Sequence, residues 1–239
     1  MKPEITVYAS SLHRWSPCPA RAQYDIDNPR ERMETTHVGT VIGRMVHHNL
    51  TGEPAEFAKE LIQYDTRTRT WSELESHVEI LTDKVRDMIG YIGMELQPFE
   101  STWRATLKIM DTTVGLSARP DFIGFDGERS AIFDIKTSVS TPKVSYLQMC
   151  AYALMARIQD IEIDSVQILF VKRDGILFPT GTRIFDNLPR MRSDAIAALK
   201  ARVGVYLNGV YRNPTNETCG TCRDVNCFAN QQYRGKSND

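Results

Sequence analysis

The 239-residue sequence has no apolar run approaching the roughly 18 residues that a membrane-spanning helix needs. Its first residues lack the charged and apolar blocks of a secretory leader, so the expected location is the cytoplasm, with no membrane contact. It has no strong charge of either sign. The net charge is −1, which excludes whole-molecule attraction to nucleic acid and leaves only a local patch for such a partner. It lacks an even cysteine count. Cys18, Cys150, Cys219, Cys222 and Cys227 make five, and in a chain without a leader this argues against a disulfide framework. No histidine follows His77, so the three cysteines of the tail have no nearby imidazole to complete a zinc site. There is no internal repeat, no low-complexity run and no helicase motif. What remains is ordinary for a globular protein. With 41% hydrophobic and 25% charged residues, the chain can bury one large core.

The most informative stretch lies between Gly115 and Tyr152. Two short apolar runs, 121–125 and 131–135, flank Asp126-Gly127, a hairpin signal. The second run ends in Asp134-Ile135-Lys136. On a strand, residues two apart share a face, so Asp134 and Lys136 project together while Ile135 turns to the core. Asp121 opens the partner strand, where an antiparallel register brings it beside Asp134. An Asp-x-Lys on a strand can also be a solvated salt bridge. Here Phe133 and Ile135 make the strand look buried, and buried charges need partners or a metal. Two carboxylates beside an ammonium are hard oxygen donors suited to Mg²⁺ or Mn²⁺.

Around this hairpin the pattern alternates helices and strands. Helices are expected over 38–50, 54–64, about 72–94, 142–158 and about 188–209, with Thr70 or Ser72 and Pro142 as start signals. Strands are expected over 99–109, 113–118, 163–171 and 176–185, the last two joined by a turn at Lys172-Arg173-Asp174-Gly175. Gln148 and Tyr152 are four apart and share a helix face. Cys150 falls on another face, as core. His47 and His48 point about 100° apart on their helix, so one stripe cannot hold both. Cys219, Cys222 and Cys227 form C-x2-C-x4-C, a spacing that lets one loop wrap a metal centre, and Cys18 is the candidate fourth ligand.

Pro120-Asp121 followed by Asp134-Ile135-Lys136 resembles the signature of the PD-(D/E)xK nuclease superfamily. Ala118-Arg119-Pro120-Asp121 is similar to that family's G-R-x-D pattern, with alanine in place of glycine. Gln148 and Tyr152 resemble the Q-x-x-x-Y motif of its RecB-like branch. Gly43-x-x-Val46-His47-x-x-Leu50 resembles the G-x-x-v-H-x-x-L helix, a match that selects His47 over His48. Ser11-Leu12, Trp15, Cys18-Pro19 and Tyr24 resemble the N-terminal segment of RecB-like nucleases with an iron–sulfur cluster. The tail cysteines resemble those of AddB-type nucleases and the CRISPR-associated RecB-like exonucleases.

The resemblance implies an α/β fold, with a central mixed sheet flanked by helices. It implies a single nuclease domain over 1–239. Residues 1–97 would be a helical part with Cys18 and His47, 98–185 the catalytic sheet and helix, and 186–239 a C-terminal helix with the cysteine cluster. It implies a DNA exonuclease preferring single-stranded ends, with a recombination, repair, phage or CRISPR role and a separate helicase or recombination/CRISPR protein as partner. Catalytic residues would be Asp121, Asp134, Lys136, Gln148 and Tyr152. His47, Asp121, Asp134 and the Ile135 carbonyl would hold Mg²⁺ or Mn²⁺. Cys18, Cys219, Cys222 and Cys227 would bind a 4Fe-4S cluster that ties the two ends together, and Glu100 is a further carboxylate of lower rank. The rival readings are an inactive DNA-binding or adaptor protein on the same fold, and zinc in place of iron–sulfur.

Overall fold

The computed structural model describes residues 4–15, 18, 20, 23–24, 36–52, 54–98, 102–138, 146–172, 182–208 and 227. Glu100, Pro142, Cys219, Cys222 and the turn expected after Lys172 lie outside them. In chain order the strands are β1 (Ile5–Tyr8), β2 (Thr36–His37), β3 (Ile62–Gln63), β4 (Glu95–Pro98), β5 (Trp103–Ile109) and β6 (Thr112–Ala118). They continue with β7 (Phe122–Phe125), β8 (Ser130–Ser138), β9 (Ser165–Lys172) and β10 (Thr182–Phe185). The helices are α1 (Val38–Thr51), α2 (Trp71–Ile92), α3 (Tyr146–Ile158) and α4 (Leu188–Asn208), and a 3-10 turn spans Ala9–Trp15.

The architecture is mixed α/β, as expected, but the strands divide between sheets. One sheet runs β10-β9-β8-β7-β4, with β8 and β9 parallel and the other pairs antiparallel. A second runs β1-β6-β5. Some strands carry no expectation from the sequence, among them β1 and β4. β1 carries a clear alternation, with Ile5 and Val7 buried, and pairs in parallel with β6. β4 ends in Pro98, which removes a backbone donor, and it sits at the sheet edge where that donor is not needed.

The helix expected over 54–64 does not form. Its apolar stripe is a single turn long. The chain instead makes a 3-10 turn at Lys59–Leu61, and Ile62 then pairs with Thr36 as strand, which buries Ile62 and leaves Leu61 exposed. The other helix signals hold. α2 starts at a capping box in which Thr70 and Glu73 satisfy each other's backbone N–H groups. α1 ends at Gly52 in the left-handed conformation, φ 75°. No helix among the described residues is long and apolar enough to cross a membrane.

The central sheet is buried on both faces, and β8 shows why. Ile132 packs with α3, α4 and the second sheet, together with Ile168 and Phe170 of β9. Ala131 and Phe133 pack with α1 and α2, together with Leu169 and Val171. Residues 131–133 of β8 are therefore committed in alternation to one of two cores. α3 connects β8 to β9 and is buried over the whole span from Gln148 to Ala156. A helix apolar all round belongs inside. The Gln148 amide and the Tyr152 hydroxyl, in that span, must find partners there.

Candidate active site

The turn at 126–129 fixes the site's register. Asp126 accepts from the backbone N–H of Glu128 and Arg129, and Gly127 takes φ 91°, a conformation suited to glycine. Phe122 then pairs with Phe133, which sets Asp121 opposite Asp134. The Asp121 N–H donates to the Phe133 carbonyl at 3.1 Å. Its carboxylate Oδ2 accepts from the Ile135 N–H at 2.7 Å.

Asp134 lies on the α3 face of β8 and is 2% exposed. Its Oδ1 accepts from Tyr152 Oη at 3.1 Å and from Gln148 Nε2 at 3.3 Å, while its Oδ2 is ion-paired with Lys136. That Oδ2 accepts no well-directed hydrogen bond, so its contact with the ammonium is electrostatic. Gln148 also donates to Tyr152 at 2.7 Å, and the Tyr152 hydroxyl hydrogen faces both Asp134 and the Arg119 carbonyl at 3.0 Å. The face that Gln148 and Tyr152 share is turned inward. Tyr152 is 2% exposed, and both side chains orient Asp134.

His47 reaches the site from α1. At Gly43 the helix approaches β8 so closely that a Cβ there would lie 3.1 Å from Thr137 Oγ1. One turn later His47 Nε2 stands 3.5 Å from Asp121 Oδ1, with its ring tilted against Phe122. Thr51 Oγ1 donates to the His47 carbonyl at 2.9 Å and faces His47 Nδ1 at 3.4 Å. His47 Nε2 and the Asp121 oxygen face each other, which calls for a proton or a cation between them. His48 is exposed, and its carbonyl accepts the Gly52 N–H that caps the helix.

We expect Gly43→Ala to lower the thermal midpoint slightly, by about 1 kcal/mol, since displacing the Thr137 hydroxyl outweighs the better helix propensity of alanine. Adding Thr137→Ala should restore the midpoint, because the new methyl group meets that hydroxyl. Melting curves for the single and double variants check this.

Burial and the neighbouring Asp134 charge push the Asp121 carboxyl up to about 7, against the opposing pull of the Ile135 N–H, Lys136 and Arg119. Burial and Asp134 also raise the Tyr152 hydroxyl well above its ordinary value. Two close carboxylates that resist joint ionisation, with an imidazole nitrogen beside one of them, are hard donors of the kind a divalent cation takes. Among the described residues, however, no three His, Cys, Asp or Glu side chains are grouped so as to hold a metal ion. His47 and Asp121 stand as one pair, and Asp134 is held apart by Lys136, Gln148 and Tyr152.

A cleft of about 400 Å³ opens beside Asp121 and His47, lined by Arg44, Arg119 and residues 54–57. Arg44 and Phe57 carry no signal in the sequence, because the wall they share joins a helix to a loop distant from the hairpin. The cysteines divide. Cys150 is fully buried in the core beside α4, as expected. Cys18 is half-buried and Cys227 buried, and neither is in a disulfide. Cys219, Cys222 and Glu100 lie outside the described residues.

The sequence matches the family described as "PD-(D/E)XK nuclease superfamily" over residues 7–224. No curated protein matches it. Among solved structures, the chain is similar to a "Putative exonuclease" from Eubacterium rectale, with 14% identity, a TM-score of 0.56, and coverage of 94% of this chain and 86% of that one. It is also matched to the structure of SSO0001, with 13% identity, a TM-score of 0.45, and coverage of 96% and 89%.

Proposed function

The chain belongs to the PD-(D/E)XK nuclease superfamily, and from that membership we propose that it is a Mg²⁺- or Mn²⁺-dependent DNA exonuclease acting on single-stranded ends. The observation that carries this reading is the packing of Asp121, Asp134 and Lys136 at one end of the β7–β8 hairpin, with His47 Nε2 beside Asp121. In this reading His47, Asp121, Asp134 and the Ile135 carbonyl hold the ion. When bound, the ion polarises the scissile phosphate and acidifies an attacking water. Lys136 offsets the charge that develops on the phosphate oxygens. Gln148 and Tyr152 position Asp134, and Thr51 orients the His47 ring. The exonuclease mode is supported by the name of the Eubacterium rectale neighbour. The test is digestion of end-labelled single- and double-stranded DNA with Mg²⁺ or Mn²⁺. Release of short products from single-stranded ends is expected, and an intact substrate with either ion would overturn the reading.

The second half of the proposal is a 4Fe-4S cluster on Cys18, Cys219, Cys222 and Cys227. Its support is the C-x2-C-x4-C spacing, the odd cysteine count and a donor set of thiols alone. Cys150 is excluded by its full burial in the helical core. Iron analysis and visible absorbance on five single Cys→Ser variants check this. The four ligand variants should lose iron and melt lower, and Cys150→Ser should keep its colour. A zinc-loaded wild type, or an iron-free Cys150→Ser beside an iron-loaded Cys18→Ser, would defeat the ligand set.

A further inference from the structure

We infer that Arg44 and Arg119 form a phosphate-binding subsite in the cleft beside Asp121, with Phe57 holding Arg44 ready for a single DNA strand. The inference rests on the nuclease reading and adds to it residues that hold the strand. Arg44 lies on α1 three residues before His47, so its side chain leaves the helix on the same side. It is exposed, and its guanidinium carbon lies 5.8 Å from the centre of the Phe57 ring. Among the described residues, no carboxylate is ion-paired with it. An aromatic face fixes a guanidinium without consuming its charge or its in-plane donors. Arg44 is thus oriented but keeps its N–H fork for another acceptor, and a phosphate oxygen pair is the acceptor that fork fits.

Arg119 lines the same cleft two residues before Asp121, so the two guanidiniums and the candidate metal carboxylate share one space. Glu56 and Asp121 also line the cleft, so the two arginines offset two carboxylates there. At about 400 Å³ the cleft is near the lower end of the usual ligand-pocket range of about 300–1,000 Å³, which suits a strand entering one nucleotide at a time. A chain whose net charge is −1 has no general attraction for DNA, so such a local site is where its affinity must come from.

The test uses the full chain in an Asp134→Ala background, so that the strand is held and not cut. A fluorescein-labelled single strand of about a dozen nucleotides is titrated by anisotropy between about 50 and 200 mM KCl. Arg44→Gln should weaken binding about 5–10-fold at the lower salt and lower the salt slope by about 0.7. Arg44→Lys should keep the slope and recover only part of the affinity. Phe57→Leu should keep the slope and lose about 2–5-fold. Lys108→Gln, on the exposed edge of β5, is the control and should change neither. An unchanged slope in Arg44→Gln, with wild type still cutting DNA, would overturn the subsite alone. A protein that neither binds nor cuts the strand would overturn the nuclease reading and the subsite with it. If Arg44→Gln lost affinity for dTMP but not for the strand, the cleft would be a mononucleotide site and the strand assignment would fall.

Discussion

Asp134→Asn is expected to lower cleavage by at least ~10³-fold while leaving the thermal midpoint within a few degrees of wild type, and Asp134→Ala to lose the same activity and also stability. The difference lies in what each substitution leaves behind. Asparagine keeps an oxygen where Oδ1 accepts from Tyr152 and Gln148, so those two donors stay satisfied, and the part-exposed Lys136 can turn away from the new amide NH2. It removes the charge that pairs with Lys136 and would hold the ion. Alanine takes one acceptor each from the buried Gln148 amide and the Tyr152 hydroxyl, which keep each other and the Arg119 carbonyl, at a cost of about 1–3 kcal/mol. Both variants should be compared by melting and by end-labelled DNA cleavage. An active Asp134→Asn enzyme would remove Asp134 from the chemistry.

Asp121→Asn should separate activity from stability in the opposite sense. The Asp121 carboxyl titrates near 7 in the folded chain, above its ordinary 3.8. A raised carboxyl holds its proton more tightly when folded. The stability it contributes is therefore complete below about pH 4 and is lost as pH rises toward 7. Above pH 7 the metal-free protein must carry two close carboxylates. Asparagine removes one of them and can still accept the Ile135 N–H.

The metal-free variant should therefore match wild type near pH 4 and melt progressively higher than it up to pH 7, with a constant advantage beyond. A three-unit shift corresponds to about 4 kcal/mol, and about half of that is expected here, because the carboxylate is 24% exposed and screened by water. Mn²⁺ should raise the midpoint of wild type and not of the variant, and cleavage by the variant should fall by at least ~10²-fold. A variant that melts below wild type at pH 8 without metal would show that Asp121 is held by its partners rather than strained.

Much of this site was readable before any coordinates. The two-residue period of a strand placed Asp134 beside Lys136, and the Asp-Gly turn placed Asp121 across from them. Four-residue spacing put Gln148 and Tyr152 on one helix face. The direction of that face was not readable, because it depends on a helix being buried on all sides by elements far away in sequence. The same holds for Ile135. Read as core-facing, it packs against the α1 and α2 layer and is only half-buried, whereas Asp134 beside it is nearly sealed. β1, β2 and β3 were missed or misread because short strands are defined by their partners: β1 by β6, and Ile62 by Thr36. The arginine-lined cleft was missed for a related reason, since its walls come from a helix, a loop and the end of a strand in the second sheet.

The two-sided burial of β8 makes the length of a surface turn part of the active site. Even-numbered positions from Ile132 to Asp134 face α3, and the odd ones face α1 and α2. If one residue were added among 126–129 and the slip were taken up in β8, every side chain would change sides. The carboxylate would leave Tyr152 and Gln148, and Phe133 would be driven against their polar ends. The identities of Glu128 and Arg129 can drift, since they face water, but their number cannot. Among distant relatives of this fold, the spacing between the two aspartates should therefore be counted in steps of the pleat rather than in residues of loop. Odd insertions there would have to be absorbed as a bulge before the strand reaches its catalytic end.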